Sequence, residues 1–77
     1  MLIDERQLVR VLVIEDDPVL GRAISQGLND QGDRCQWSDN GLKGLTFAAQ
    51  ERFDAIVLDL MLPDMSGLEL LKKLRNE

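Results

Sequence analysis

The sequence predicts an open parallel α/β sheet with helices on both faces, built from three strand–helix units. Three observations carry this. Val11-Leu12-Val13-Ile14 and Ala55-Ile56-Val57-Leu58 are short apolar runs rich in β-branched residues, the pattern of strands buried on both faces of a parallel sheet. Stretches of helical period follow each strand-like segment. The strand–helix order then recurs along the chain, and right-handed crossovers place the helices on both sides of the sheet.

Residues 1–8 are mixed in character and read as a loose lead-in; residues 9–77 carry the domain. The first strand begins at Arg10 and stops abruptly at Glu15-Asp16-Asp17. Asp17 followed by Pro18 is a helix start, with Asp17 as N-cap and Pro18 at the first helical position. Val19, Leu20, Ile24 and Leu28 fall on one face of that helix, and Gly32 is placed to stop it. Cys35 and Trp37 alternate with Arg34, Gln36 and Ser38, as in a half-polar strand at a sheet edge. Asp39-Asn40-Gly41 is turn chemistry. Leu42, Leu45, Phe47, Ala48 and Ala49 mark a second helix ending near Arg52. The run from Asp54 to Leu58 repeats the buried-strand pattern and again ends on an acid, Asp59. Leu60 to Met65 form a loop. Ser66 and Glu69 have the spacing of a capping box, opening a third helix whose apolar stripe is Leu68, Leu71 and Leu74, with Leu70 beside them. Lys72, Lys73 and Arg75 sit near its C-terminus, where positive charge suits the helix dipole.

Composition narrows the function. The chain has 77 residues and a net charge of -5, with one cysteine and no histidine. That length allows a single small domain. The basic residues before Lys72 are scattered singly, so direct nucleic-acid binding by this chain is not expected. Cys35 has no internal disulfide partner and reads as a small core residue. No apolar run approaches the ~20 residues of a membrane span. The N-terminus lacks the basic and apolar blocks of a signal peptide, so a cytoplasmic location is expected. Zinc sites and Ser-His or Cys-His catalysis have no candidate residues, and no Gly-rich phosphate loop is present.

What remains is carboxylate chemistry. In open α/β sheets, ligands bind at the carboxyl ends of strands near the switch in strand order. Glu15-Asp16 closes one buried strand and Asp59 another, so neighbouring strands would bring these acids together. Crowded carboxylates are relieved by a raised pKa or a bound cation. Oxygen-only donors favour Mg²⁺. Asp59 is also a candidate nucleophile toward phosphorus. Asp17 is explained as the helix cap and Asp64 as a solvated loop acid.

Val11-Leu12-Val13-Ile14-Glu15-Asp16-Asp17-Pro18 resembles the first strand and acidic pair of bacterial two-component response-regulator receiver domains. The segment from Asp54 to Gly67 resembles their phosphoacceptor strand and following loop: the Asp, the Pro four residues later and the Gly eight residues later all match, at Asp59, Pro63 and Gly67. Asn40-Gly41 matches a frequent turn of the family. The resemblance runs from Arg10 to Arg75. It implies a flavodoxin-like (CheY-like) fold that is cut after the third β-α unit, so that residues 9–77 are the N-terminal part of a receiver. It also implies that Asp59 accepts a phosphoryl group from a sensor histidine kinase. Asp16 and Asp59 would ligate Mg²⁺, with Glu15 acting through a metal-bound water and the Met61 backbone carbonyl adding an oxygen. Pro63 and Gly67 would shape the loop. Such a module is a phosphoacceptor with Mg²⁺-dependent transfer and autodephosphorylation chemistry rather than a turnover enzyme, and it would control an output, DNA-binding domain outside this sequence.

The family's five-stranded sheet, order 2-1-3-4-5, also carries a Ser or Thr after its fourth strand and a Lys after its fifth, roughly 30 and 50 residues beyond Asp59 and within one domain's size. These positions lie past Glu77, and Lys72 and Lys73 on the third helix do not replace the lysine. Three explanations stand side by side: a fragment of a longer regulator, a natural truncation, or two copies that complete each other. Self-association of the chain is the expectation, since the third strand lacks a neighbour. The alternative to phosphotransfer is accordingly a non-catalytic receiver fragment acting in dimerisation or interaction. An aspartate-nucleophile phosphatase of the haloacid dehalogenase type fits less well, because it wants a second Asp where Met61 stands. Trp37 is expected as a partly buried edge-strand aromatic.

Overall fold

The computed structural model describes residues 9–76. The lead-in assigned to residues 1–8 lies outside them. Element order is β1 (Arg10–Ile14), α1 (Pro18–Asp30), β2 (Arg34–Ser38), α2 (Gly41–Gln50), β3 (Ala55–Leu58) and α3 (Gly67–Leu74). The strands form one parallel sheet in the order β2-β1-β3. The most apolar strand is therefore central. Val11, Leu12, Val13 and Ile14 are all buried, because a parallel sheet with helices on both faces hides both sides of its middle strand.

Strand pleat sorts the two faces. Val13 pairs with Trp37, and the Trp37 ring lies directly over Gly21 of α1. Ile14 pairs with Ser38 and Leu58, and its side chain lies against Gly44 of α2. Successive side chains point to opposite sides, so α1 covers one face and α2 the other. Leu12, Ile14 and Leu70 form the fully buried core on the α2 side, where α3 joins it. Leu45, Phe47, Ala48, Phe53, Leu58, Leu62, Met65 and Leu74 pack around them.

The caps of α1 and α3 are as the sequence predicts: Asp17 accepts hydrogen bonds from the Val19 and Leu20 amides and Ser66 from Glu69. Asn40, expected only as part of a turn, also caps α2 by accepting from the Lys43 amide. Gly32 takes a positive φ of 95° just after α1, a conformation that favours glycine.

The helix faces are rotated from the expected apolar stripes. Val19 is 78% exposed and Leu68 66%, and Leu42 is exposed as well. The inward stripe of α1 is Gly21, Ile24, Ser25 and Leu28; that of α2 is Gly41, Gly44, Leu45 and Ala48; that of α3 is Gly67, Leu70, Leu71 and Leu74. Each has the i, i+3, i+4, i+7 spacing of one helical face, but each starts on a glycine. A side chain at Gly21 would strike the Trp37 ring, and one at Gly67 would strike the main chain of Leu60. The glycines thus mark the points of closest approach and set each helix's rotation.

β3 also departs from the expected double burial. Ile56 is 38% and Val57 42% exposed. Its one hydrogen-bonded neighbour among the described residues is β1, so its far edge and part of both faces meet solvent. The sequence correctly places an apolar edge here, but the strand is not a buried one.

Leu70 is fully buried at the meeting of α3 and the sheet. Leu70→Ala removes packing that a small core has little means to replace and is expected to cost about 2–5 kcal/mol. Urea denaturation followed by circular dichroism measures this as a lower midpoint at an unchanged slope.

Candidate phosphoacceptor and cation site

The site is made where two neighbouring strands end together. The Asp59 amide donates to the Ile14 carbonyl at 2.9 Å, and the Glu15 amide donates to the Ser38 carbonyl at 3.0 Å. These bonds extend the β1–β3 and β1–β2 ladders one step past the strands. They hold Glu15 and Asp59 side by side at the carboxyl edge of the sheet.

Glu15, Asp16 and Asp59 each present a carboxylate oxygen, all within 4.8 Å of one another. The three acids expected from the sequence are thus brought together, whereas the Asp17 carboxylate is turned to the α1 amides. Glu15 is 8% exposed, Asp59 is half-buried and Asp16 is exposed. The Asp59 Oδ1 accepts from the Met61 amide at 2.9 Å.

This crowding splits the acids. The pKa of Glu15 is raised, first by a side-chain hydrogen bond with Asp59, then by burial and by the Asp59 charge. That of Asp59 is lowered, first by the Met61 amide and then by the Glu15 hydrogen bond. Within the cluster, protonation is therefore favoured at Glu15 over Asp59. Glu15 Oε2 is buried and has no hydrogen-bond partner. A buried, unpartnered acceptor among oxygen-only donors fits a small hard cation, which would satisfy it and offset the crowded charge.

Asp64, in the loop after Asp59, is an exposed loop acid as expected, but it also makes long-range hydrogen bonds that local sequence does not announce. Its Oδ1 accepts from the Gly41 amide at 2.8 Å and its Oδ2 from the Leu42 amide at 2.9 Å. These are free amides of the first turn of α2, and Asn40 satisfies Lys43 in the same turn. Met65 packs against Gly41 beside this clamp. Met61 bridges antiparallel to Ser66, and the Gly67 amide donates to the Leu60 carbonyl. The loop is therefore closed on itself and pinned to α2. Sequence spacing holds no signal for Asp64, because its partners lie 23 and 22 residues away.

Trp37 is half-buried on the edge strand as expected, and its indole N–H donates to the Glu15 carbonyl at 2.8 Å. Cys35 is a half-buried free thiol. Lys72 and Lys73 are exposed on α3. No helix among the described residues is long and apolar enough to cross a membrane.

A family model for the response regulator receiver domain matches residues 11–77. The chain belongs to this family. Among curated receivers, it is 45% identical over 71 residues to the probable transcriptional regulatory protein TcrX of Mycobacterium tuberculosis, covering 92% of this chain and 30% of that protein. It is 39% identical to the response regulator PmrA of Pseudomonas aeruginosa over 90% of this chain and 31% of that one. The chain thus spans about 30% of the length of the curated relatives it matches. A CheY-like receiver domain from Methanospirillum hungatei superposes with a TM-score of 0.88 at 31% identity, covering 91% of this chain and 56% of that one. The response regulator TrrA of Thermotoga maritima, in complex with Mg²⁺ and BeF, gives 0.84 at 28% identity, over 90% of this chain and 60% of that one. The receiver's three-stranded sheet is that part of the CheY-like fold.

The lowered pKa of Asp64 has a sign. Its hydrogen bonds from Gly41 and Leu42 favour the ionised form. Their stabilisation is complete above the ordinary aspartate value of about 3.9 and is lost as pH falls through the lower folded value. Asp64→Ala is expected to melt at lower temperature than wild type at pH 7. Melts repeated down to acid pH should show the gap closing.

Proposed function

We propose that this chain is the receiver module of a two-component response regulator and takes a phosphoryl group on Asp59 from a phosphohistidine of a sensor histidine kinase. The observation that carries this is the convergence of the Glu15, Asp16 and Asp59 carboxylates, all within 4.8 Å of one another, at the sheet's carboxyl edge. An Asp59 carboxylate oxygen attacks phosphorus as the P–N bond breaks, and the electron pair leaves on the imidazole nitrogen, which a proton then neutralises. The Met61 amide holds Oδ1 and so orients the nucleophile. Asp16, Asp59 and the Met61 carbonyl would hold Mg²⁺, with Glu15 acting through water. The bound ion supplies positive charge against the acceptor and phosphoryl oxygens. Val19 and Leu20 on the first turn of α1, and Leu60 and Met61 after Asp59, are exposed apolar residues flanking the acids in sequence, and they suit a protein donor better than a small one. The regulatory names of the relatives support an output domain that controls transcription, and the reading places the protein in the cytoplasm.

Incubation with Mg²⁺ and a small acyl-phosphate donor tests the reading by intact mass. One phosphoryl adduct is expected on the wild-type chain and none on Asp59→Asn. Absence of an adduct on wild type sinks it.

A second reading, a non-catalytic fragment that self-associates, is supported by the open apolar edge of β3 at Ile56 and Val57. It expects a dimer by light scattering whether or not Mg²⁺ is present. A monomer at all concentrations counts against it.

A further inference from the structure

Glu15 is held through its main chain as well as its side chain, and both main-chain groups are held by β2. Its amide donates to the Ser38 carbonyl at 3.0 Å, and its carbonyl accepts from the Trp37 indole at 2.8 Å. The indole has little freedom. Trp37 stands beside Val13 in the sheet register, and its five-membered ring edge lies so close to Gly21 that a Cβ there would collide with Nε1 and Cε2. Helix α1 therefore presses the ring into the orientation that aims Nε1 at Glu15. The same helix begins at the Asp17 cap, and the Gly21 amide donates back to the Asp17 carbonyl at 2.8 Å. The turn from Glu15 to Asp17 is thus fastened at one end by the indole and at the other by the helix that clamps the indole. Asp16 lies between these fastenings. It is exposed, and its carboxylate reaches Glu15 and Asp59 through the placement of its backbone.

We infer that Trp37 is a positioning residue for the acidic site: its indole N–H, clamped by Gly21, fixes the main chain at Glu15 and so sets where Asp16 meets Asp59. Trp37 touches no reacting group; it acts through the turn. The inference rests on the cation-site reading above. Groups that support ligands from behind typically alter metal affinity when removed, without abolishing the fold.

The test uses Mg²⁺ alone. Trp37→Phe keeps an aromatic ring over Gly21 and removes the donor. Calorimetric titration is expected to show Mg²⁺ binding about tenfold weaker than wild type, while the thermal melt stays cooperative. The chain has one tryptophan, so its indole ¹⁵N–¹H resonance is unambiguous. That resonance should shift as Mg²⁺ is added to wild type and stay still in Asp59→Asn. Wild-type affinity in a folded Trp37→Phe overturns the role of Trp37 and leaves the cation site standing. No Mg²⁺ binding by wild type overturns the cation site and this inference together. If Trp37→Phe does not fold, the wild-type indole decides: a shift lost in Asp59→Asn supports the inference, and a resonance unmoved at saturating Mg²⁺ overturns it.

Discussion

One hydrogen bond organises the chemistry of this chain: the Asp59 amide to the Ile14 carbonyl. It is the last rung of the ladder between β1 and β3, and it sets the register at which two strands end. Because strand side chains alternate with a period of two, a slip of one residue would turn Asp59 to the other face of the sheet. Four register pairs below the rung, from Val11 with Ala55 to Ile14 with Leu58, hold it in place. The buried β1 is the shared wall, and the equivalent bond from Glu15 to Ser38 ties it to β2. The acidic site is thus a consequence of parallel pairing on both sides of one apolar strand.

The charges are managed by geometry rather than by neutral partners. Three acids in close proximity oppose one another, and among them only Glu15 is buried. Burial and the neighbouring Asp59 both favour its protonated form, and the Met61 amide favours ionised Asp59. The two neighbouring carboxyls are therefore pushed in opposite directions by their surroundings. The same loop uses a further acid, Asp64, to cap α2. The segment after Asp59 is therefore fixed both to Asp59, through the Met61 amide, and to the first turn of a separate helix.

Close packing of the helices depends on small residues. Gly21 under Trp37, Gly44 against Ile14 and Gly67 against Leu60 are each places where a side chain would displace a neighbour. Hydrophobic periodicity assigns such positions no weight, so the stripes drawn through leucines and valines were rotated. Periodicity places Leu68 and Val19 inward because they are apolar. They point outward because Gly67 and Gly21 already occupy the approach. Packing, rather than apolar character, fixed the phase.

Local patterns determined the elements of this receiver: β-branched runs for β1 and β3, Asp17 and Ser66 as caps, Asp39-Asn40-Gly41 as a turn, Gly32 as a stop, and acids at the ends of two strands. Those signals are readable because capping, turn geometry and strand preference act over a few neighbouring residues. The motif from Asp59 to Gly67 was legible for the same reason, as a loop whose parts lie close in sequence. The tertiary structure alone decided the partners of Asp64 and Trp37, the rotation of the three helices and the exposure of β3. Most of these depend on groups 16 or more residues apart in sequence, or on whether a neighbouring strand is present, and a chain read in order holds no record of which distant amide or carbonyl it will meet; the contact of Gly67 with Leu60 is nearer in sequence, but hydrophobic periodicity gives a glycine no weight.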